Sequence, residues 1–281
     1  MLVRIHKKLF MLVLTFVTIG ISYAIDEKAL YNEGLNYPLN TSSIDANEKG
    51  SIEAIQQNAL RIGAQSGLYY QMNYLQENVL SYASQLDVVF NFQILMKWAS
   101  YGTSISNLLP PVIQAIDKQV SIEHSGQKLV INNKVYKITT PAQIVGNPPN
   151  WRQYLLVVVN KPNFDVIKKP STSLEWNAWD NSYRQGWVEG QKAANRFFNY
   201  KMAQLYSTFN GMMTYLIAER KGIVNKPDIS SSYIPVSSYG SEMSVGNMIY
   251  TIDRNVNFEA DLSKWKVKTL NDVDTVGDKH G

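Results

Sequence analysis

The sequence predicts an α+β fold in which helices pack on a mixed or antiparallel sheet with β-hairpins. Three observations point there. Apolar residues recur at helical spacing over about 52–95 and again over about 174–221. Each stretch is followed by one whose period is two, around 120–139 and 243–253. This switch from a helical to a strand period in each half indicates helices packed on a sheet that contains both hairpins.

The chain opens with Arg4, His6, Lys7 and Lys8, then an apolar run from Leu9 to Ile21. That run is too short to cross a hydrocarbon core of about 30 Å as a helix. Ser22 and Ala24 stand where a signal peptidase wants small residues, so residues 1–24 read as a signal peptide cut between Ala24 and Ile25. Export to the periplasm is the expectation. Residues 25–50 are polar and turn-rich and read as a flexible N-terminal arm.

Ser51 offers a helix cap, and Ile52, Ile55, Ala59, Ile62 and Leu68 then mark one apolar face. With a break, the pattern continues through Leu75, Val79, Leu86, Phe90 and Leu95. Gly102 and the Pro110-Pro111 pair end it, because proline cannot continue a helix. VSIEH, KLVIN and KVYKIT read as short strands, with turns at Ser125-Gly126 and Asn132-Asn133. YLLVVV at 154–159 reads as a buried strand, and Ser173 as the cap of the second helical region. Residues 222–241 read as loop, 243–253 as a hairpin turning at Gly246-Asn247, and 269–281 as a disordered tail.

The two halves resemble each other, suggesting half-repeats at 51–160 and 173–268. LVINNKVYKIT at 129–139 aligns without gaps on MSVGNMIYTID at 243–253, and Trp151 and Trp265 follow at equal intervals. Upstream, RIGAQSG at 61–67 resembles RQGWVEG at 184–190. Glycines four apart share a helix face and admit another backbone. Each half then reads as a helix-then-hairpin unit, its helix covering one face of the sheet to which its hairpin belongs.

Composition narrows the function classes. Three of the 27 Lys and Arg fall within residues 1–24, leaving 24 against 23 acids, a net of +1 for the mature chain. A general nucleic-acid surface needs a basic excess, so direct nucleic-acid binding is not expected. There is no Cys, which excludes disulfides, thiolate metal sites and a cysteine nucleophile. Beyond the signal only His124 and His280 remain, which supports neither a histidine metal site nor a Ser-His-Asp triad. No cofactor, metal or catalytic set is expected. Glu175 with Asp180, or Asp87, could be cast as a glycosidase pair, but no spacing singles one out.

Trp176, Trp179, Tyr183 and Trp187 lie on one helical face, suited to core packing or to an interface. Pro148, Pro149 and Trp151 form a rigid loop ending in a large aromatic, either pinned to the core or acting as an intersubunit latch.

ALRIGAQSGL, FNFQILM, NLLPPVI, VYKIT, PPNWRQYL, GWVEGQKAANRFF and FNGMMTYLIAE resemble the DotC family, from about residue 54 to 268. LLPP and PPNW are the most specific pieces. The TraI proteins of related conjugation systems are similar to DotC. The resemblance makes 51–268 one DotC-like domain and implies a non-catalytic subunit of a type IVB (Dot/Icm-like) outer-membrane core complex. Such proteins assemble in multiple copies in a ring with DotH-like and DotD-like partners and help position the DotH-like subunit. Family members typically carry a lipobox cysteine at the cleavage site; ISYAID has none. Attachment to the outer membrane would then come through partners. A periplasmic cell-wall glycan hydrolase and a ligand-binding protein are the alternatives.

Overall fold

A computed structural model describes residues 31–32, 48–103, 105–123, 128–164 and 170–265. The expected signal cleavage at Ala24 and Ile25, most of the N-terminal arm, the Ser125-Gly126 turn and the tail lie outside the described residues.

The elements run α1 (Glu48–Ser81), α2 (Ala83–Val89), α3 (Phe92–Ala99), β1 (Leu108–Leu109), β2 (Val112–Glu123), β3 (Lys128–Thr140), β4 (Gln143–Ile144), α4 (Trp151–Leu155), α5 (Ser173–Arg220), β5 (Asp228–Tyr239) and β6 (Glu242–Arg254). A 3-10 turn, Leu262–Lys264, follows. The α+β class holds. The strands do not share one sheet, however: β1–β4, β2–β3 and β5–β6 are three separate antiparallel pairs.

The chain divides into two compact units. The first holds residues up to Val89 and Trp151–Gln204; the second holds Phe90–Asn150 and Leu205 onward. In the first, Ile55, Ala59 and Ile62 of α1 meet Trp179, Tyr183 and Trp187 of α5, with Phe164 closing the cluster. Spacings of four and three residues along α1, and of four along α5, produce that shared face. In the second, Phe209 of α5 takes Phe90 and Phe92 edge-on, with centroids 5.4 and 5.2 Å away. Gly211 lets the same helix approach β2: a β-carbon there would sit 2.4 Å from Val112 Cγ1.

Helix starts differ from the expected caps. Ser51 lies inside α1, which begins at Glu48. Ser173 is the first residue of α5, and its neighbour Thr172 does the capping. Glu175 N–H donates to Thr172 Oγ1, while Glu175 Oε2 accepts from the backbone N–H of Thr172 and Ser171 and from Ser171 Oγ. This is a reciprocal capping box, which satisfies donors that a helix start otherwise leaves unpaired.

Two of the three expected strand turns are corrected. Asn132 and Asn133 lie within β3, which pairs with β2 from Val112↔Thr140 to Glu123↔Lys128. Asparagine tolerates a turn, but the β-branched residues on either side continue the ladder. Gly246 and Asn247 lie within β6, although Gly246 takes φ +76°. The reversal is at Gly240 (φ +57°) and Ser241, between Tyr239 and Glu242. Its first strand, β5, falls in the segment expected to be loop. YLLVVV forms no strand: Tyr154 and Leu155 finish α4, and Val158 is 92% exposed. The Val157 carbonyl accepts a hydrogen bond from Gln76 instead of pairing with another strand.

Candidate functional site

The aromatic stripe of α5 is brought together in the core of the first unit. Trp179 and Tyr183 stack with centroids 6.4 Å apart, and Tyr183 and Trp187 follow at the same distance. All three rings are buried. Their outer faces are taken by α1 and by Tyr31, whose ring meets Trp187 edge-on at 5.1 Å. Trp176 packs beside them, half-buried, and among the described residues its Nε1 has no hydrogen-bond partner. Trp179, Tyr183 and Trp187 therefore have no ring face free for a partner.

The glycines beside the stripe explain its tightness. A β-carbon on Gly63 would lie 2.2 Å from the Tyr183 carbonyl oxygen, and one on Gly67 2.1 Å from that of Trp187. Reciprocally, Gly186 meets the Leu60 carbonyl and Gly190 that of Ala64. The contacts climb together along both helices, so α1 and α5 run parallel where they cross. The glycines admit another backbone, as their spacing predicts, and that backbone is a second helix.

Trp151 is 1% exposed and belongs to the first unit. Its Nε1 donates to Asp87 Oδ1 at 2.7 Å. Arg152 reaches the same carboxylate with both terminal nitrogens, at 2.6 and 3.1 Å, and lies over the Trp151 ring at 4.3 Å. Arg152 above all, and then the indole N–H, hold the Asp87 carboxyl below its ordinary value. This knot ties α4 to α2. Sixty-four and sixty-five residues separate its members, and no local sequence pattern signals it. Pro148 and Pro149 belong to the second unit; Pro148 is exposed beside Gln93, Met96 and Tyr101 on an open groove. Trp265, which the sequence aligns with Trp151, is partly exposed and donates to the Glu259 carbonyl.

The carboxylates weighed for glycoside hydrolysis all have structural partners. Asp87 is in the knot, Asp180 binds Arg184, and Glu175, 7% exposed, closes the capping box. Among the described residues no three His, Asp or Glu side chains gather as metal ligands. No helix there is long and apolar enough to cross a membrane.

The open surface lies elsewhere. No residue of β5 or β6 is buried. Tyr239 is 92% exposed, Val245 69% and Met248 55%, and Tyr233, Val236 and Met243 are also open. Lone exposed apolar residues are ordinary, whereas a contiguous patch marks an interaction surface. The sequence signals strand at 243–253, within β6, but not β5, because DISSSYIPVSSY is serine-rich and lacks alternation.

A family model described as type IV secretory system, conjugal DNA-protein transfer, matches residues 50–267. The chain belongs to this TraI family. The match takes in nearly all of α1, all of α5 and all three strand pairs, so it draws on both units of this TraI-family protein. It is a subunit related to type IV secretion and conjugation. No curated protein matches the chain significantly.

Proposed function

We propose that this TraI-family chain is a structural, non-catalytic subunit of a type IVB outer-membrane core complex. It resides in the periplasm, in multiple copies in a ring, and helps to position a DotH-like subunit with a DotD-like partner. The DotC-like segments LLPP and PPNW support that finer assignment. The observation that carries the role is the exposed β5–β6 ribbon on a chain of this family. Its open apolar side chains suit assembly, while the candidate acids are engaged in structural contacts.

The mature chain carries no cysteine for a lipid and a net charge of only +1, so outer-membrane association comes through partners. Fractionation tests this. Expressed alone, the chain should be recovered as soluble periplasmic protein. Co-expressed with DotH-like and DotD-like subunits, it should move to the outer-membrane fraction. Outer-membrane association without any partner overturns the proposal, as does muralytic activity of the purified chain.

A further inference from the structure

Helix α3 is apolar on two faces. Phe92, Leu95, Met96 and Ala99 are buried. Ile94 and Trp98, one turn apart on the other face, are each 44% exposed, and Tyr101, just past the Ser100 cap, is 68% exposed. A helix face that meets only water is ordinarily polar, so an apolar outer face marks a contact surface. Ile217 of α5 is exposed too, and Arg220, three residues on, shares its side of the helix. The Arg220 guanidinium lies 5.3 Å over the Trp98 ring, which joins the two helices in one patch. Beside α3 runs the open groove that also holds Pro148. It encloses about 670 Å³ and is lined by Gln93, Met96, Lys97 and Tyr101, and by Ile105 and Asn107 of the loop that follows.

The charge around patch and groove has one sign. Lys97 is the only charged residue from Phe90 to Pro111, and residues 141–150 carry none. At the end of α5, Arg220, Lys221 and Lys226 stand against Glu219, which is half-buried beside Tyr215. Lys226 Nζ donates to the Tyr101 carbonyl and so belongs to the same surface. Among the described residues no carboxylate pairs with Lys97, Arg220 or Lys221.

We propose that the outer face of α3 and its groove bind an acidic, apolar segment of a partner protein. The segment's apolar side chains cover Ile94, Trp98 and Tyr101, aromatic anchors being the usual centre of such a contact. Its carboxylates meet Lys97 and Arg220, and the side-chain amides of Gln93 and Asn107 serve its backbone. Concavity argues for a polypeptide. A bilayer is met by protruding side chains, whereas a groove lined by amide and hydroxyl groups receives a chain with backbone donors and acceptors of its own. The site lies wholly within the second unit and depends neither on the β5–β6 ribbon nor on the secretion role.

A short fluorescein-labelled peptide of alternating leucine and aspartate is the probe. Its anisotropy with the full chain should rise saturably and fall on adding salt. A leucine–lysine peptide and a serine–aspartate peptide should not bind. Lys97→Glu should weaken binding roughly tenfold and Trp98→Ala roughly thirtyfold, as for a reversed charge and a lost aromatic anchor. Lys137→Glu, at an exposed position of β3, should leave binding unchanged. The chain has no cysteine, so an introduced thiol reports where the peptide sits. A bromoacetyl form of the peptide should alkylate Ser106→Cys in the groove and spare Ser231→Cys on the β5–β6 ribbon. Absence of saturable binding, equal binding by the lysine peptide, or no loss in Lys97→Glu and Trp98→Ala overturns the proposal. So does alkylation of Ser231→Cys to the same extent as Ser106→Cys. Flotation with phosphatidylethanolamine–phosphatidylglycerol vesicles that Trp98→Ala abolishes would assign the face to lipid and likewise overturn it.

Discussion

Gly63 of α1 rests directly on the carbonyl oxygen of Tyr183 in α5, and Gly186 rests in the same way on Leu60. Leu60 stands three residues before Gly63, and Tyr183 three before Gly186, so the two contacts are reciprocal about a local axis. The carbonyls are backbone atoms and cannot swing aside. Gly63→Ala must push the helices apart and open the Trp179–Tyr183–Trp187 cluster. Overpacking of a core costs roughly 1–3 kcal/mol, and with backbone as the obstacle a loss of about 3 kcal/mol is expected. Gly146, with nothing within 4 Å of an added β-carbon, is the control. Gly146→Ala should change urea stability by less than about 0.5 kcal/mol. Equal effects at both positions would contradict the close helix crossing.

Thr172→Ala should destabilise the chain by about 1 kcal/mol, the usual loss for a threonine cap. Its hydroxyl accepts from Glu175 N–H, and without it that donor at the start of α5 goes unpaired. Ser173→Ala should be close to neutral, because the Ser173 side chain is exposed on the first helical turn. Paired thermal melts would show the order reversed if the cap were Ser173.

The helices were legible because their signals are local. The spacing of Ile55, Ala59 and Ile62 by four and three residues, and of Trp179, Tyr183 and Trp187 by four, needs no knowledge of a partner. The glycine pairs signalled a close approach, although not to which element. The strands were less legible because their limits are set by pairing across sequence. Asn132-Asn133 and Gly246-Asn247 have turn chemistry, yet β2 and β5 run past them and hold them in register. β5 itself is serine-rich and is a strand because β6 lies beside it. YLLVVV has strand composition and no strand to pair with. The Asp87–Trp151–Arg152 knot joins residues far apart in the chain and has no motif at all.

Ser66 lies in α1 between the two contact glycines, fully buried, and its hydroxyl has no partner among the described residues. An unpaired buried hydroxyl costs about 1–3 kcal/mol in lost hydration, and alanine favours a helix more than serine does. Ser66→Ala should therefore stabilise the protein by roughly 1 kcal/mol. A shift of the urea midpoint to higher concentration at unchanged slope would show it. A destabilised variant would mean that the hydroxyl has a water or partner that offsets its burial.

Asp87 should make acid stability depend on its knot. Its folded pKa is lowered from 3.8, first by the hydrogen bonds from Arg152 and then by that from Trp151. The unfolded chain, lacking both, takes up the proton at the higher pH. The carboxylate thus contributes stability above its unfolded value and loses that contribution as pH falls through the lowered folded value. Glu259 and Asp261 are also held low and titrate in the same region, so whole-protein melts alone do not isolate Asp87. Asp87→Asn does: it keeps an oxygen for the indole N–H and removes the charge that Arg152 binds. The stability gap between wild type and this variant should be constant near neutral pH, then narrow below the ordinary aspartate value. A carbon-detected NMR titration of the Asp87 carboxyl should give a midpoint under 3.8, moving upward in Arg152→Ala and less so in Trp151→Phe. A midpoint at the ordinary value, or a larger effect from Trp151→Phe, would mean that Arg152 is not the main partner.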